Sequence, residues 1–404
     1  MKVIISVGGR FHAFNLAQQL LKRGYLQKLI TSYPKFEVIK YNIPKDKIGS
    51  ILIKEILHRS WSILPEFVKN LYNPNFFIND LFDRLASKKI GDPDIFTGWS
   101  SFSLYSLRKA KEKGIITVLE RGSSHIEFQR NILKEEYKKY GFKPKLPHPK
   151  IVAKELEEYK ETDYISIPSS YVRRTFLEKG VPERKLIQVP YGVDLSGFKQ
   201  MPKRDDVFRV IFVGGMSLRK GVHYLLQSFT ELNIPNSELI LVGSMNDEIK
   251  PFFKKYEVEK SKKQEINKSI NQGSRIRFIG HIPQKELYKY YSQGSVFVIM
   301  SIEEGLALVQ PQAMACGLPV ICTTNTGGED IIRDGKDGFV IPIRDVDTLK
   351  EKLIYLYENP DVLREMSKSA KERVSTGFTW DDYGDRIIKE YKRILKQAKL
   401  GHLN

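Results

Sequence analysis

Two stretches of this chain repeat one pattern, an apolar run followed by a pair of glycines. Lys2-Val3-Ile4-Ile5-Ser6-Val7 leads into Gly8-Gly9, and Arg209-Val210-Ile211-Phe212-Val213 leads into Gly214-Gly215. A short apolar run bounded by turn residues reads as a strand buried on both faces, as in parallel sheets covered by helices. After the first pair, Phe14, Leu16, Ala17, Leu20 and Leu21 form an apolar stripe at helical spacing that ends at Gly24. Two such beginnings in one chain predict two Rossmann-like units facing each other. The length agrees, since 404 residues exceed one ordinary core. The first turn is no dinucleotide fingerprint, because Gly-x-Gly-x-x-Gly is absent from it.

Charge is unevenly spread. Residues 1–200 carry 35 Lys and Arg against 21 Asp and Glu, a net of +14, whereas residues 201–404 carry 31 against 27, a net of +4. An anionic partner of the first half is one reading, whether a membrane surface, a lipid-phosphate acceptor or nucleic acid, and ordinary solvated lysines are the other. Nucleic acid is disfavoured because no recognition motif accompanies the charge. Between residues 44 and 90, Ile48, Ile51, Leu52, Ile56 and Leu57 alternate with Lys47, Lys54 and Arg59, followed by Trp61, Phe67, Tyr72, Phe76 and Phe77. That stripe is expected to be the core face of a helix, with a peripheral membrane patch as the alternative. Cys316 and Cys322 lie in apolar context, so neither a disulfide frame nor a metal cluster is expected, and the compartment is read as reducing. No signal peptide or membrane span is read, which places the chain in the cytoplasm and leaves peripheral contact with the inner membrane face open. Asp92-Pro93-Asp94 precedes its strand instead of following one, so it is read as a turn without a metal.

The most informative stretch is 301–319. It runs from the apolar strand Ser295-Val296-Phe297-Val298-Ile299-Met300 through Glu303-Glu304-Gly305 and a short helix to the strand Pro319-Val320-Ile321-Cys322. A glycine loop opening a helix at the carboxyl end of a strand offers unpaired N–H groups to a diphosphate. Glu304, at its mouth, suits sugar hydroxyls. This stretch resembles the signature of the family 4 retaining glycosyltransferases of the GT-B fold: Glu, seven residues, a second Glu, then Ala-Met-Ala-x-Gly-x-Pro-Val. Glu304 matches the first acid, and Ala313-Met314-Ala315-Cys316-Gly317-Leu318-Pro319-Val320 matches the tail, but Gln312 replaces the second acid. The resemblance implies that Glu304 contacts the donor sugar, that Gly305, Leu306, Ala307, Leu308 and Val309 hold the diphosphate, and that Gln312 meets the ribose through its amide oxygen.

Other segments are similar to the same family. Thr117-Val118-Leu119-Glu120-Arg121-Gly122-Ser123-Ser124-His125 resembles the segment that carries an active-site histidine in the first domain, which implies that His125 approaches the donor sugar. Gly9 belongs to a loop that faces the interdomain cleft in the family, and His12 follows it. Ile187-Gln188-Val189-Pro190-Tyr191-Gly192-Val193-Asp194 matches the strand exit before the crossing to the second domain. After Gly214-Gly215, Lys220-Gly221 fits the family's Lys-Gly, but Gly215 stands where members carry Arg, and Arg219 is the nearby substitute. Those cations are implied to hold the departing diphosphate without a metal. Ile282, after the strand ending at Gly280, is implied to line the nucleobase seat. Residues 248–273 read as a Lys-rich surface insertion, Asn325-Thr326-Gly327-Gly328-Glu329-Asp330 as a glycine loop opening a helix, and Phe378-Thr379-Trp380 as the start of a last helix that packs back on the first domain.

These readings predict an α/β GT-B protein. Residues 1–198 form the acceptor-binding domain, joined by the closing helix at about 379–398, and residues 199–378 form the nucleotide-sugar-binding domain. The expected activity is retaining, metal-independent transfer of a sugar from a nucleoside-diphosphate sugar to a glycan or lipid-phosphate-linked acceptor in cell-surface polysaccharide or glycoconjugate synthesis. No separate cofactor is expected. A sugar-nucleotide epimerase of the same fold and a non-catalytic nucleotide-sugar-binding protein are the alternatives.

Overall fold

The computed structural model describes residues 1–65, 67–68, 73–144, 146–260 and 275–401. The first sheet contains β1 (Val3–Val7), β2 (Leu26–Thr31), β3 (Ile48–Ser50), β4 (Ile95–Trp99), β5 (Ile116–Glu120), β6 (Tyr164–Ile167) and β7 (Leu186–Gln188). The second contains β8 (Phe208–Val213), β9 (Ser237–Val242), β10 (Glu259–Lys260), β11 (Ile276–Gly280), β12 (Val296–Ile299), β13 (Val320–Thr323) and β14 (Gly338–Ile341). Their spatial orders are 3-2-1-4-5-6-7 and 10-11-9-8-12-13-14, with all strand pairs parallel. Strand order therefore reverses between β1 and β4 and again between β8 and β12. In open parallel sheets, ligands bind beyond the carboxyl ends of the strands at such reversals. Each sheet has its own apolar core, one built on Ile4, Ile5 and Phe96, the other on Ile211, Phe212 and Phe297. This is the two-unit architecture expected from the doubled strand–glycine pattern.

The last helix, Trp380–Gly401, buries Tyr383, Ile387, Tyr391 and Ile394 in the core of the first sheet, although it follows the second in sequence. Polar contacts tie it there as well: Lys22 pairs with Asp381 at 2.8 Å, and the buried hydroxyls of Thr97 and Tyr391 lie 2.9 Å apart. Helix Ile126–Lys139 of the first domain crosses to the second. Its buried Glu136 accepts from Tyr224 at 2.8 Å and Arg344 at 2.7 Å, and lies 2.9 Å from His223 Nε2.

Three expectations change here. Helix Ile53–Ile63 contributes no buried residue, so Ile56 belongs to a surface ridge rather than a core face. Tyr72 lies outside the described residues. Of the expected insertion at 248–273, residues 250–255 form a helix that buries Phe253, and β10 pairs with β11, while 261–274 lie outside the described residues. Third, Gly328–Asp330 makes a single 3-10 turn, not a longer helix. Among the described residues no helix is long and apolar enough to cross a membrane. Asp94 accepts from the Lys2 amide at 2.6 Å and Asp92 pairs with Lys113 at 2.9 Å, which ties both to the amino end of β4. Both cysteines are buried free thiols, and burial pushes them up to about 12.

Candidate active site

The loops beyond β8 and β12, neighbours at the second reversal, meet in one cluster of charge. Gly221 has φ +62°, and a Cβ there would lie 1.8 Å from the Met300 carbonyl oxygen. Only glycine permits that approach, which brings Lys220 beside the acidic loop. The Lys220 ammonium pairs with the Glu304 carboxylate, and Arg219 Nη2 stands 3.9 Å from the same oxygen. Gly305 touches the first domain directly, since a Cβ on it would sit 1.9 Å from the Gly122 carbonyl oxygen. Two backbones from different domains thus meet where the charged loop turns.

Glu303, not singled out by its pattern, is the most enclosed member. It is fully buried. One carboxylate oxygen accepts from Ser123 Oγ (2.9 Å), Ser124 N (3.1 Å) and Ser124 Oγ (2.8 Å), and the other from Gln129 Nε2 (3.0 Å) and Arg219 Nε (2.9 Å). Burial alone would push its proton affinity up. The Arg219 charge and the hydrogen bonds from Gln129 and Ser124 outweigh it, leaving the group at about 2. Arg121 fixes the first-domain side of this contact by donating to the Ser124 carbonyl at 2.9 Å, Gln129 Oε1 at 3.1 Å and buried Glu155 at 2.8 Å. The Glu303-Glu304 doublet was the available signal in the sequence. Its first-domain partners lie some 180 residues away and carry no spacing rule.

The other expected site residues fall in several places. Leu306, Leu308 and Val309 offer N–H groups without hydrogen-bond partners among the described residues, whereas the Ala307 N–H is spent on the Thr326 carbonyl at 3.1 Å. Gln312 is buried with its amide oxygen unpaired, an acceptor waiting for a donor at the position of the family's second acid. Gly214 and Gly215 lie at the end of β8 beside the loop after β9, joined by Met216 N to Ser244 O at 2.7 Å. A Cβ on Gly215 would meet only Ser244 Oγ, at 3.7 Å. Ile282 is buried beyond β11. Gly9 follows β1, its carbonyl accepting from Thr31 Oγ1 at 2.9 Å. His12 rests 4.1 Å from the Tyr191 ring and 3.1 Å from buried Glu120.

His125, expected to approach the donor sugar, is a buried residue at the start of a helix. Its ring packs between Tyr159 and Phe176 within the first domain and is 3% exposed, and Nδ1 caps helix Ile126–Lys139 by accepting from Glu127 N at 3.3 Å. Burial, helped by Arg121 and Lys179, lowers its proton affinity to about 4. Ser123 and Ser124, its chain neighbours, are the residues of this loop that cross to Glu303. A histidine lowered in this way stays neutral when folded, whereas the unfolded chain takes up its proton near pH 6.5, so stability falls as pH drops from 6.5 towards 4. His125→Asn, which keeps a capping acceptor, is expected to lose less stability than the parent between pH 7 and pH 5. Parallel pH profiles in denaturant titrations would refute this assignment.

Comparison with known proteins agrees with this geometry. Residues 196–373 match the family model for glycosyl transferases group 1. An uncharacterized glycosyltransferase of Methanocaldococcus jannaschii is 24% identical over 379 residues, covering 88% of each chain. Sucrose-phosphate synthase from Thermosynechococcus elongatus superposes with a TM-score of 0.70 at 18% identity, over 98% of this chain and 100% of that one. The Anabaena protein HepE, solved in complex with UDP-glucose, gives 0.64 at 14% identity over 97% and 100%. The acidic loop at the second reversal, the family match that spans it and the two facing parallel sheets converge: residues 196–373 belong to the glycosyl transferases group 1, and the chain has the GT-B fold.

Proposed function

We propose that this glycosyltransferase moves a sugar from a nucleoside-diphosphate sugar to a glycan or lipid-phosphate-linked acceptor, with retention of configuration and without a metal. The observation that carries the reading is the convergence of Arg219, Lys220 and Glu304 with unpaired N–H groups at one sheet reversal facing the first domain. Lys220 leaves Glu304 for the incoming diphosphate, and Glu304 turns to the sugar hydroxyls. Fixed cations and N–H donors then stabilise the charge that grows on the leaving group. Gln312 meets a ribose hydroxyl with its unpaired oxygen, and the backbone near Ile282 seats the base. UDP is the first nucleotide to test, given the Anabaena complex. Thermal-shift measurements with UDP, GDP and ADP and their sugar conjugates decide the matter, because a ligand at a hundred times its dissociation constant adds about 2.7 kcal/mol. One nucleotide should give a clear rise, and no rise with any of them overturns the reading.

The acceptor side is read from the first domain. Ile56 is 56% exposed, Ile63 83% and Phe67 69%, on and just beyond the helix that leaves the carboxyl end of β3. Lys54 on that helix lies over the Phe102 ring at 5.5 Å, and the same ring packs on Gly8. The ridge therefore borders the cleft rim. An apolar ridge on a domain of net positive charge fits the surface of an anionic bilayer, which would deliver a lipid-linked acceptor to the cleft from the cytoplasmic face. Flotation with phosphatidylglycerol vesicles is expected to carry the protein. Ile56→Glu with Ile63→Glu should cut the bound fraction about tenfold or more, given the apolar area removed from the interface. Equal binding by both proteins would separate the ridge from membranes.

A further inference from the structure

Arg219 is held in an unusual way. Its Nε donates to the Glu303 carbonyl at 3.0 Å and to the Glu303 carboxylate at 2.9 Å, while Nη1 and Nη2 make no hydrogen bond among the described residues. The free edge of the guanidinium is the one that stands beside Glu304 and Lys220. Glu303 thus grips the back of the fork and leaves its prongs for another anion. A carboxylate buried this deeply costs desolvation that an apolar side chain in the same place would avoid. Its remaining hydrogen bonds come from Ser123, Ser124 and Gln129, all on the other domain.

We propose that Glu303 is the positioning residue that makes Arg219 a diphosphate-binding group, and that seating residues 121–129 of the first domain, a loop and the first turn of its helix, on Glu303 is what fixes it. Closing the cleft and completing the cation pair are then one event. The chain has glycine at 215 and brings its guanidinium from 219 instead, with Glu303 as the support that the new position needs. This inference rests on the nucleotide-sugar reading above and adds to it a residue and a coupling between domains.

The test is a double-mutant cycle on UDP affinity, measured by calorimetry on the full chain. Arg219→Ala removes a charge-assisted contact and should weaken UDP by roughly 10- to 100-fold. Glu303→Gln should weaken it by about tenfold in the parent and by less than about twofold when Arg219 is already Ala, because coupled residues are non-additive. A Glu303 that served only as interdomain packing would weaken UDP by the same factor in both backgrounds, and that additivity would overturn the proposal. Should Glu303→Gln not fold, Ser124→Ala takes its place, with a loss of about threefold expected in the parent and none beside Arg219→Ala. Equal losses in the two backgrounds would again overturn it. A parent that binds UDP but shows additive losses sinks this inference alone. A parent that binds none of UDP, GDP and ADP sinks the nucleotide-sugar reading and this inference with it.

Discussion

Lys220→Ala is expected to lower turnover by about 10²- to 10³-fold, the usual cost of deleting a group that stabilises developing negative charge. The thermal midpoint should move by no more than about 2 °C, as for other substitutions outside the core. The ammonium reaches the solvent-accessible cluster, where Glu304 is its partner. The backbone beneath it is fixed independently, by Lys220 N donating to the Ser217 carbonyl at 3.1 Å and by the close passage of Gly221 over Met300. Removing the side chain therefore leaves the loop in place and deletes one charge from the proposed diphosphate seat. Release of nucleoside diphosphate, from whichever donor gives the thermal shift, is the assay. Turnover equal to the parent would take Lys220 out of the mechanism. Lys220→Arg is not a neutral control, because a planar fork does not replace a compact ammonium at a site that already holds Arg219.

The fold was legible because its signals are local. Strands buried on both faces write themselves as unbroken apolar runs, and the turns after β1 and β8 are marked by paired glycines. The loop carrying Glu304 was legible for the same reason: the acid, the glycine and the following tail are near neighbours in sequence. What escaped were features that depend on a second, distant segment. Glu303 reads as one more acid in a doublet until Ser123, Ser124 and Gln129 are placed against it. His125 sits at a strand end, where ligands gather, and the two aromatic rings packed against it come from the distant helices Pro149–Glu161 and Ser170–Glu178. Helix Ile53–Ile63 has an amphipathic pattern, and that pattern alone does not say whether its apolar face finds protein or leaves the surface.

Gly305→Ala carries the second large effect, and it tests the contact between domains rather than a charge. The added methyl would stand 1.9 Å from the Gly122 carbonyl oxygen and 3.1 Å from Ser123 Cα. Both obstacles are backbone, so no side-chain rotation relieves the clash, and ordinary contact requires the loops to part by more than about 1 Å. Bonds of 2.8 to 3.1 Å from Ser123 and Ser124 to Glu303 do not survive such a shift, nor does that of Ser169 Oγ to the Gly305 carbonyl at 2.6 Å. Each sheet keeps its own core, so the variant should fold, with a stability loss of about 1–3 kcal/mol. Turnover should fall by about 10²-fold or more, because a shift of that size misplaces groups that must act together, and small-angle scattering should report a larger radius of gyration. Gly197→Ala, whose methyl would meet nothing within 4 Å, is the control and should match the parent. If Gly305→Ala turns over like the parent at an unchanged radius, the two domains need not meet at this loop for the chemistry, and Glu303 becomes a buried acid without a role in closure. If it fails in both respects, the meeting of Gly305 with Gly122 is the step at which a seat for a diphosphate becomes a site facing its acceptor.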